Sequence, residues 1–239
     1  MNRILFESGE IKDGVATFGG ARARHVISVL HGEVGQVLKT GEVGGRIGTS
    51  VVLGISGADG DSPEISVAVS HADESPRPWV DLVLAPPRPR VMKRLLPQLA
   101  SLGVGRIVLV GAKKVEKDFW GATLLREDNY RPLLIDGLMQ CGSSILPTLE
   151  TRRNFRKFVA EELDAAFPKS LRLVAHPCAG SQPPSSGTGR LLLAIGPEGG
   201  WTDDEVALLE AHGFSRYSLG TRILRTDTAA VALLGRLMP

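Results

Sequence analysis

Residues 190–200 read RLLLAIGPEGG, and residues 219–225 read LGTRILR. Arg190 to Ile195 is an apolar run closed by a glycine, the pattern of a strand buried on both faces of a parallel sheet. The chain must then turn sharply. Gly196, Gly199 and Gly200 admit backbone angles that other residues resist, Pro197 fixes its own φ, and the missing side chains let a ligand lie on the backbone. A helix follows, because Thr202 and Glu205 have capping-box spacing, Asp203 and Asp204 suit the positive helix end, and Gly213 is a stop. A short strand is expected over residues 217–219, then the second turn, then a helix over residues 228–237, rich in alanine and leucine. Both turns follow a strand and lead into a helix, where α/β sheets place ligands, and the two are expected to face one another. A glycine turn can be no more than a tight connection. Two of them, with Glu198, Arg222, Arg225 and Asp227 gathered nearby, favour a ligand site whose chemistry the residues do not name.

Working outward, residues 177–189 (PCAGSQPPSSGTG) form a flexible connection. Before it come a strand over 171–175, helices over 155–167 and 124–139 with Pro147 between them, and strands over 106–110 and 79–85. Between those two strands a helix is predicted over 91–102, with apolar positions 91, 92, 95, 96, 99 and 102 on one face and a kink expected at Pro97. This order is α/β with a parallel sheet. Residues 71–78 (HADESPRP) are the linker, so domains are expected at 1–72 and 73–239. Strands over 3–6, 15–18, 36–40, 47–55 and 65–69, with one helix over 21–30, make the first domain a small β-barrel.

Composition narrows the function classes. The 239 residues are 43% hydrophobic, without a run near membrane-span length or a secretory signal, so a soluble cytoplasmic protein is expected. Cys141 and Cys178 lack metal-ligand spacing and read as spare thiols. No P-loop, dinucleotide fingerprint or HExxH zinc site occurs, which weighs against nucleotide hydrolysis, nicotinamide chemistry and zinc hydrolysis. Residues 1–72 hold six Lys/Arg and eight Asp/Glu, whereas residues 77–117 hold nine Lys/Arg and two Asp/Glu. Such clustering suits a polyanion, with a solvated face as the alternative. Arg88, Arg90, Lys93 and Lys114 in that run, with Arg22, Arg24 and His25 on the first-domain helix, are the candidate RNA contacts; a histidine placed like His25 is more often a partly buried structural one.

The segments IGPEGGWTDDEV (195–206) and LGTRILRTDTAAVALL (219–234) resemble, in order and separation, the RsmE family of ribosomal RNA methyltransferases of the SPOUT class. Weaker agreement covers ARHVISVL (23–30), SLGVGRIVLV (101–110), Gln140, Gly142 and Pro147. The resemblance implies a PUA-like RNA-binding β-barrel followed by a SPOUT α/β domain with a C-terminal trefoil knot, acting as a homodimer without metal or membrane. It implies S-adenosylmethionine as cofactor, small-subunit (16S) ribosomal RNA or the 30S subunit as partner, and uridine N3 as methyl acceptor. By position Ile195, Gly196, Pro197, Glu198, Gly199, Gly200, Leu219, Gly220, Ile223 and Leu224 hold the cofactor. Arg225 steadies charge on the uracil, and Glu198 is a base or orients the cofactor, unless it only satisfies turn amides. His31, Pro97, Ser101, Met139 and Ser143 depart from the family pattern, and Asp227 replaces a usual Glu. These departures keep two alternatives open: a SPOUT enzyme with another RNA target, or a non-catalytic RNA-binding assembly protein.

Overall fold

The structure is a computed structural model that describes residues 2–57, 62–168, 170–178 and 190–239. It divides into two compact units, Met1–Pro76 with Ile135–Leu146, and Arg77–Leu134 with Pro147–Pro239.

The first unit contains β1 (Ile4–Phe6), β2 (Ile11–Lys12), β3 (Val15–Gly19), α1 (Gly20–Ser28), β4 (Val37–Glu42), β5 (Ile47–Ser56) and β6 (Glu64–Asp73). The strands form one sheet in the order β1-β4-β5-β6-β3-β2, parallel between β1 and β4 and antiparallel elsewhere. Alternation along β3 sends Ala16 and Phe18 inward and leaves Val15 outside, as the strand period of two requires. These side chains meet Phe6, Leu38, Val52, Ile65, Val67 and, from α1, Ala23 and Val26. β6 runs through residue 72 to Asp73, so the expected linker begins as strand. Residues 135–146 group with this unit, although sequence order placed them in the second domain. The stitching is largely backbone: Asn2 and Arg3 amides donate to Met139 O at 2.9 and 3.0 Å, Arg3 Nε donates to Gly142 O at 2.9 Å, and Ser144 Oγ donates to Gly45 O at 2.6 Å.

The second unit is built on β7 (Val80–Leu84), β8 (Val104–Val110), β9 (Thr148–Arg152), β10 (Leu171–Ala175), β11 (Leu191–Ile195) and β12 (Ser215–Tyr217). All neighbouring pairs are parallel, in the order β12-β10-β11-β7-β8-β9. Central β7 and β11 are buried at every position, as continuous apolar runs demand. β9 was not expected from the sequence. Its residues TLETR are polar and half-exposed because the strand pairs only with β8 at the sheet edge. β12 also starts two residues before the expected strand.

α2 (Pro89–Ser101) starts with its first proline at the helix N-terminus and continues through Pro97. Pro97 removes one amide donor, while its carbonyl gains the Ser101 hydroxyl at 2.8 Å. Met92, Leu95, Leu96 and Leu99 form the buried face. α3 (Glu127–Cys141) follows two 3-10 turns at Lys117–Gly121 and Thr123–Leu125. The helix expected over 155–167 is three pieces, α4 (Phe155–Lys157), a π segment (Phe158–Glu162) and α5 (Leu163–Ala166). α6 (Asp203–Ala211) and α7 (Thr226–Leu237) complete the unit. The connection read as flexible over 177–189 lies outside the described residues from 179 onward.

Parallelism puts the carboxyl ends of all six strands on one edge. β7 leads outward to β8 and β9, whereas β11 is flanked on its other side by β10 and β12. The β7–β11 seam is therefore a topological switch point, and loops beyond it are where an open α/β sheet forms its crevice.

Candidate functional site

Both glycine turns leave that edge. At the end of β11, Ile195 is buried and its carbonyl accepts from Ala85 N at 2.9 Å, tying the turn to the end of β7. Pro197 to Gly200 closes as a β-turn, with Gly200 N donating to Pro197 O at 2.8 Å and Gly200 at φ +71°. A Cβ on Gly196 would lie 3.1 Å from Trp201 N and from its ring. The turn therefore packs directly on Trp201, whose ring lies 5.2 Å from that of Phe155.

Lys114, a candidate RNA contact, braces this turn. Its Nζ donates to Gly199 O at 2.7 Å, and a Cβ on Gly199 would sit 2.9 Å from Lys114 Cδ. Glu205 braces the other side. The predicted capping box is present, and the buried Glu205 carboxylate accepts from Thr202 N at 2.9 Å and from Lys113 N at 2.7 Å.

The second turn stands beside the first. Thr226, the opening residue of α7, donates its hydroxyl to Gly196 O at 3.3 Å. Gly220 has φ +129°, reserved for glycine, and space is open where a Cβ would stand. Leu219, Ile223 and Leu224 are exposed, Ile223 to 94%. Arg225 is the N-cap residue of α7 and is exposed, and its guanidinium has no carboxylate partner among the described residues. Asp227, two residues on, is engaged by Arg94 of α2 at 3.6 Å. The Glu198 carboxylate is exposed beside Pro87, Arg88 and Lys114 and bonds no turn amide among the described residues. The turn-satisfying role left open for it is not the one it has here.

The other expected RNA contacts separate by environment. Arg22 grips Glu10 through two nitrogens, at 2.5 and 2.9 Å, and donates to Leu5 O at 2.8 Å. The pair holds Glu10 below the usual carboxylate range, chiefly through that hydrogen bond. Arg88 pairs with Glu116 at 3.0 Å. Arg24, Arg90 and Lys93 are exposed, while His25 is half-buried with Nε2 enclosed and without a hydrogen-bond partner among the described residues. Sequence counting could not separate these cases, because it registers a cation without the carboxylate that occupies it. Trp201 and Thr226 were missed as turn-bracing groups; their positions directly after each glycine turn were the available signal.

A sequence profile of the RNA methyltransferase domain matches residues 73–238. Ribosomal RNA small subunit methyltransferase E of Treponema pallidum is 31% identical over 238 residues, covering 97% of this chain and 88% of that protein. The chain belongs to the ribosomal RNA small subunit methyltransferase E, or RsmE, family. A second relative, methyltransferase E 1 of Borreliella burgdorferi, is 24% identical and covers 97% of the chain and 95% of its own length. Among solved structures, a putative methyltransferase of Legionella pneumophila, in complex with the cofactor SAM, aligns with TM-score 0.72 and 26% identity over 99% of this chain and 96% of that one. The Neisseria gonorrhoeae methyltransferase E has the same fold, with TM-score 0.70 and 22% identity over 99% and 96% of the two chains. Within the RsmE family the departures at Met139 and Ser143 fall in the segment 135–146: Met139 accepts the Asn2 and Arg3 amides through its carbonyl, and Ser143 Oγ meets Ser75 Oγ at 3.1 Å.

Proposed function

We propose that the protein is an S-adenosylmethionine-dependent methyltransferase acting on N3 of a uridine in small-subunit (16S) ribosomal RNA. One observation carries the reading: a glycine-rich turn and a second turn with exposed apolar side chains are tied together by Thr226 and Gly196 at the sheet's switch point, and the second ends on Arg225, which has no carboxylate partner among the described residues. These residues fit the cofactor. Space is open where a Cβ would stand at Gly200 and at Gly220, and Leu219, Ile223 and Leu224 offer apolar surface to a purine. When bound, S-adenosylmethionine supplies an already activated sulfonium methyl group.

The chain's work is then alignment and charge. Uridine N3 is a poor nucleophile until its proton leaves, so a residue must take or relay that proton while the ring is held in line. Arg225, without a carboxylate partner, is placed to stabilise negative charge developing on the uracil. Glu198, free of the turn amides, is the proposed base or cofactor-orienting group. Lys114, Trp201 and Thr226 hold the turns and act through them.

By family resemblance we further assign a PUA-like barrel to the first unit and a trefoil knot to the C-terminal chain. A homodimer partner covers the exposed second turn, the 30S subunit or its RNA is the partner, and the protein works in the cytoplasm. Nucleoside mass spectrometry of small-subunit RNA from a deletion strain and its parent tests the activity. Loss of N3-methyluridine on deletion is expected, and an unchanged level would overturn the proposal.

A further inference from the structure

A second concavity lies on the same sheet edge, beyond β8 and β9 rather than the β7–β11 seam. It is a cleft of about 340 Å³ lined by Gly111, Lys113, Arg153, Asn154, Arg156 and Thr202, together with buried Phe155 and Glu205. Resting on the proposed RNA methyltransferase activity, we infer that this cleft binds a backbone phosphate of the RNA substrate, with Lys113, Arg153 and Arg156 as its ligands.

The ionic pairing favours an anion. The Lys113 side chain has no protein partner among the described residues, and Arg153 meets no carboxylate there. Arg153 is nevertheless oriented. Its Nη2 donates to Trp120 O at 3.2 Å and its guanidinium lies 5.8 Å from the Trp120 ring centroid. A guanidinium fixed by one donor and an aromatic face presents its remaining donors as a fork that matches phosphate oxygens. Among the described residues Arg156 pairs with Asp204 alone, at 3.3 Å with both side chains mostly exposed, a pairing weak enough to be exchanged for a phosphate.

Glu205, the carboxylate in the lining, does not oppose this assignment strongly. Its oxygens accept from Lys113 N, Thr202 N and Thr202 Oγ1, so its charge is directed at backbone donors. The cleft also adjoins the transfer site in the chain. Lys113 precedes Lys114, which holds Gly199, and Thr202 follows the first turn by two residues. A phosphate held here would register the RNA against that turn without touching the reacting atoms, so the three cations are positioning residues.

The test uses the full-length double variant Lys113→Gln/Arg153→Gln. Its binding to a small-subunit ribosomal RNA transcript is measured across a salt series, with thermal melting and S-adenosylmethionine titration on the same preparations. RNA affinity is expected to fall about ten-fold and the slope of log affinity against log salt to become shallower by about one to two. Melting and cofactor affinity stay as in the parent, and the loss of methyl transfer appears in KM for RNA rather than kcat. RNA affinity and slope equal to the parent's would overturn the inference whether or not the parent methylates RNA. Loss of inorganic phosphate binding with RNA binding intact would overturn it in favour of a small-anion site. Should the parent fail to transfer methyl groups while the slope still changes, the activity reading falls and the cleft stands. If the double variant melts early, Arg156→Gln carries the same measurement with about half the change in slope.

Discussion

Arg225 and Lys114 are both exposed cations beside glycine turns, yet their surroundings assign them different work. Arg225 has no anionic side-chain partner among the described residues, so truncating it should leave the fold intact. Arg225→Ala is expected to bind S-adenosylmethionine as the parent does while transfer falls by two or more orders of magnitude, about 3 kcal/mol of transition-state stabilisation. Calorimetry with single-turnover kinetics checks this, and full activity would refute the role. Lys114 donates to Gly199 O. Lys114→Met keeps the stem against Gly199 and loses only the donor, so cofactor affinity should weaken about five-fold, equivalent to about 1 kcal/mol. Because the ammonium is committed to the turn, the salt dependence of RNA binding should not change. The glycine turns were legible in the sequence because turn chemistry is local, whereas the role proposed for Arg225 comes from family resemblance. The commitments of Lys114, Arg22 and Arg88 were not, since each depends on a partner brought close only by folding.

At the level of elements, the joint between α6 and the loop after β8 is one buried carboxylate. Glu205→Ala leaves the amides of Lys113 and Thr202 without their acceptor, a loss of about 2–3 kcal/mol that urea denaturation at pH 7 would register. The capping box at this joint was readable because its spacing is written in four residues. Its tertiary bond to Lys113 was not. β9 shows the same division, since a polar edge strand lacks the apolar run that marks β7 and β11. What fixes β9 is pairing with β8 and the charge ladder across it: Arg106 grips Glu150 at 2.7 Å and stacks on Phe167, while Arg152 joins Glu150 and Glu162. The Arg106 hydrogen bond is the main reason Glu150 titrates below its usual range. A depressed folded-state pKa gives stability that is present above the unfolded value and is lost as pH falls through the folded one. Glu150→Gln should therefore destabilise at pH 7 and converge on the parent in acid. A stability difference that stayed constant down the acid limb would show that the ion pair contributes nothing.

Across the whole molecule, chain order and spatial grouping diverge. Periodicity predicted the alternation of strands and helices, but residues 135–146 join the first unit through backbone carbonyls that no side-chain pattern announces. The proposed closure of the site by a second copy is likewise a property that one chain's periodicity cannot express. Ile223 is 94% exposed in the middle of the turn proposed to hold the cofactor, with Leu219 and Leu224 exposed beside it. Single exposed apolar residues are ordinary, whereas three within six positions at a ligand-binding turn are consistent with a covered surface. If a partner subunit packs there, Ile223→Asp places a charge in the interface and nothing in the monomer's core is disturbed. Analytical ultracentrifugation should then show the parent as a dimer and the variant shifted to monomer, with an unchanged far-ultraviolet circular dichroism spectrum. Methyl transfer should fall with the dimer fraction and recover in part at high protein concentration. A variant that stays dimeric with full activity would place the interface elsewhere and return Ile223 to the role of a cofactor contact alone.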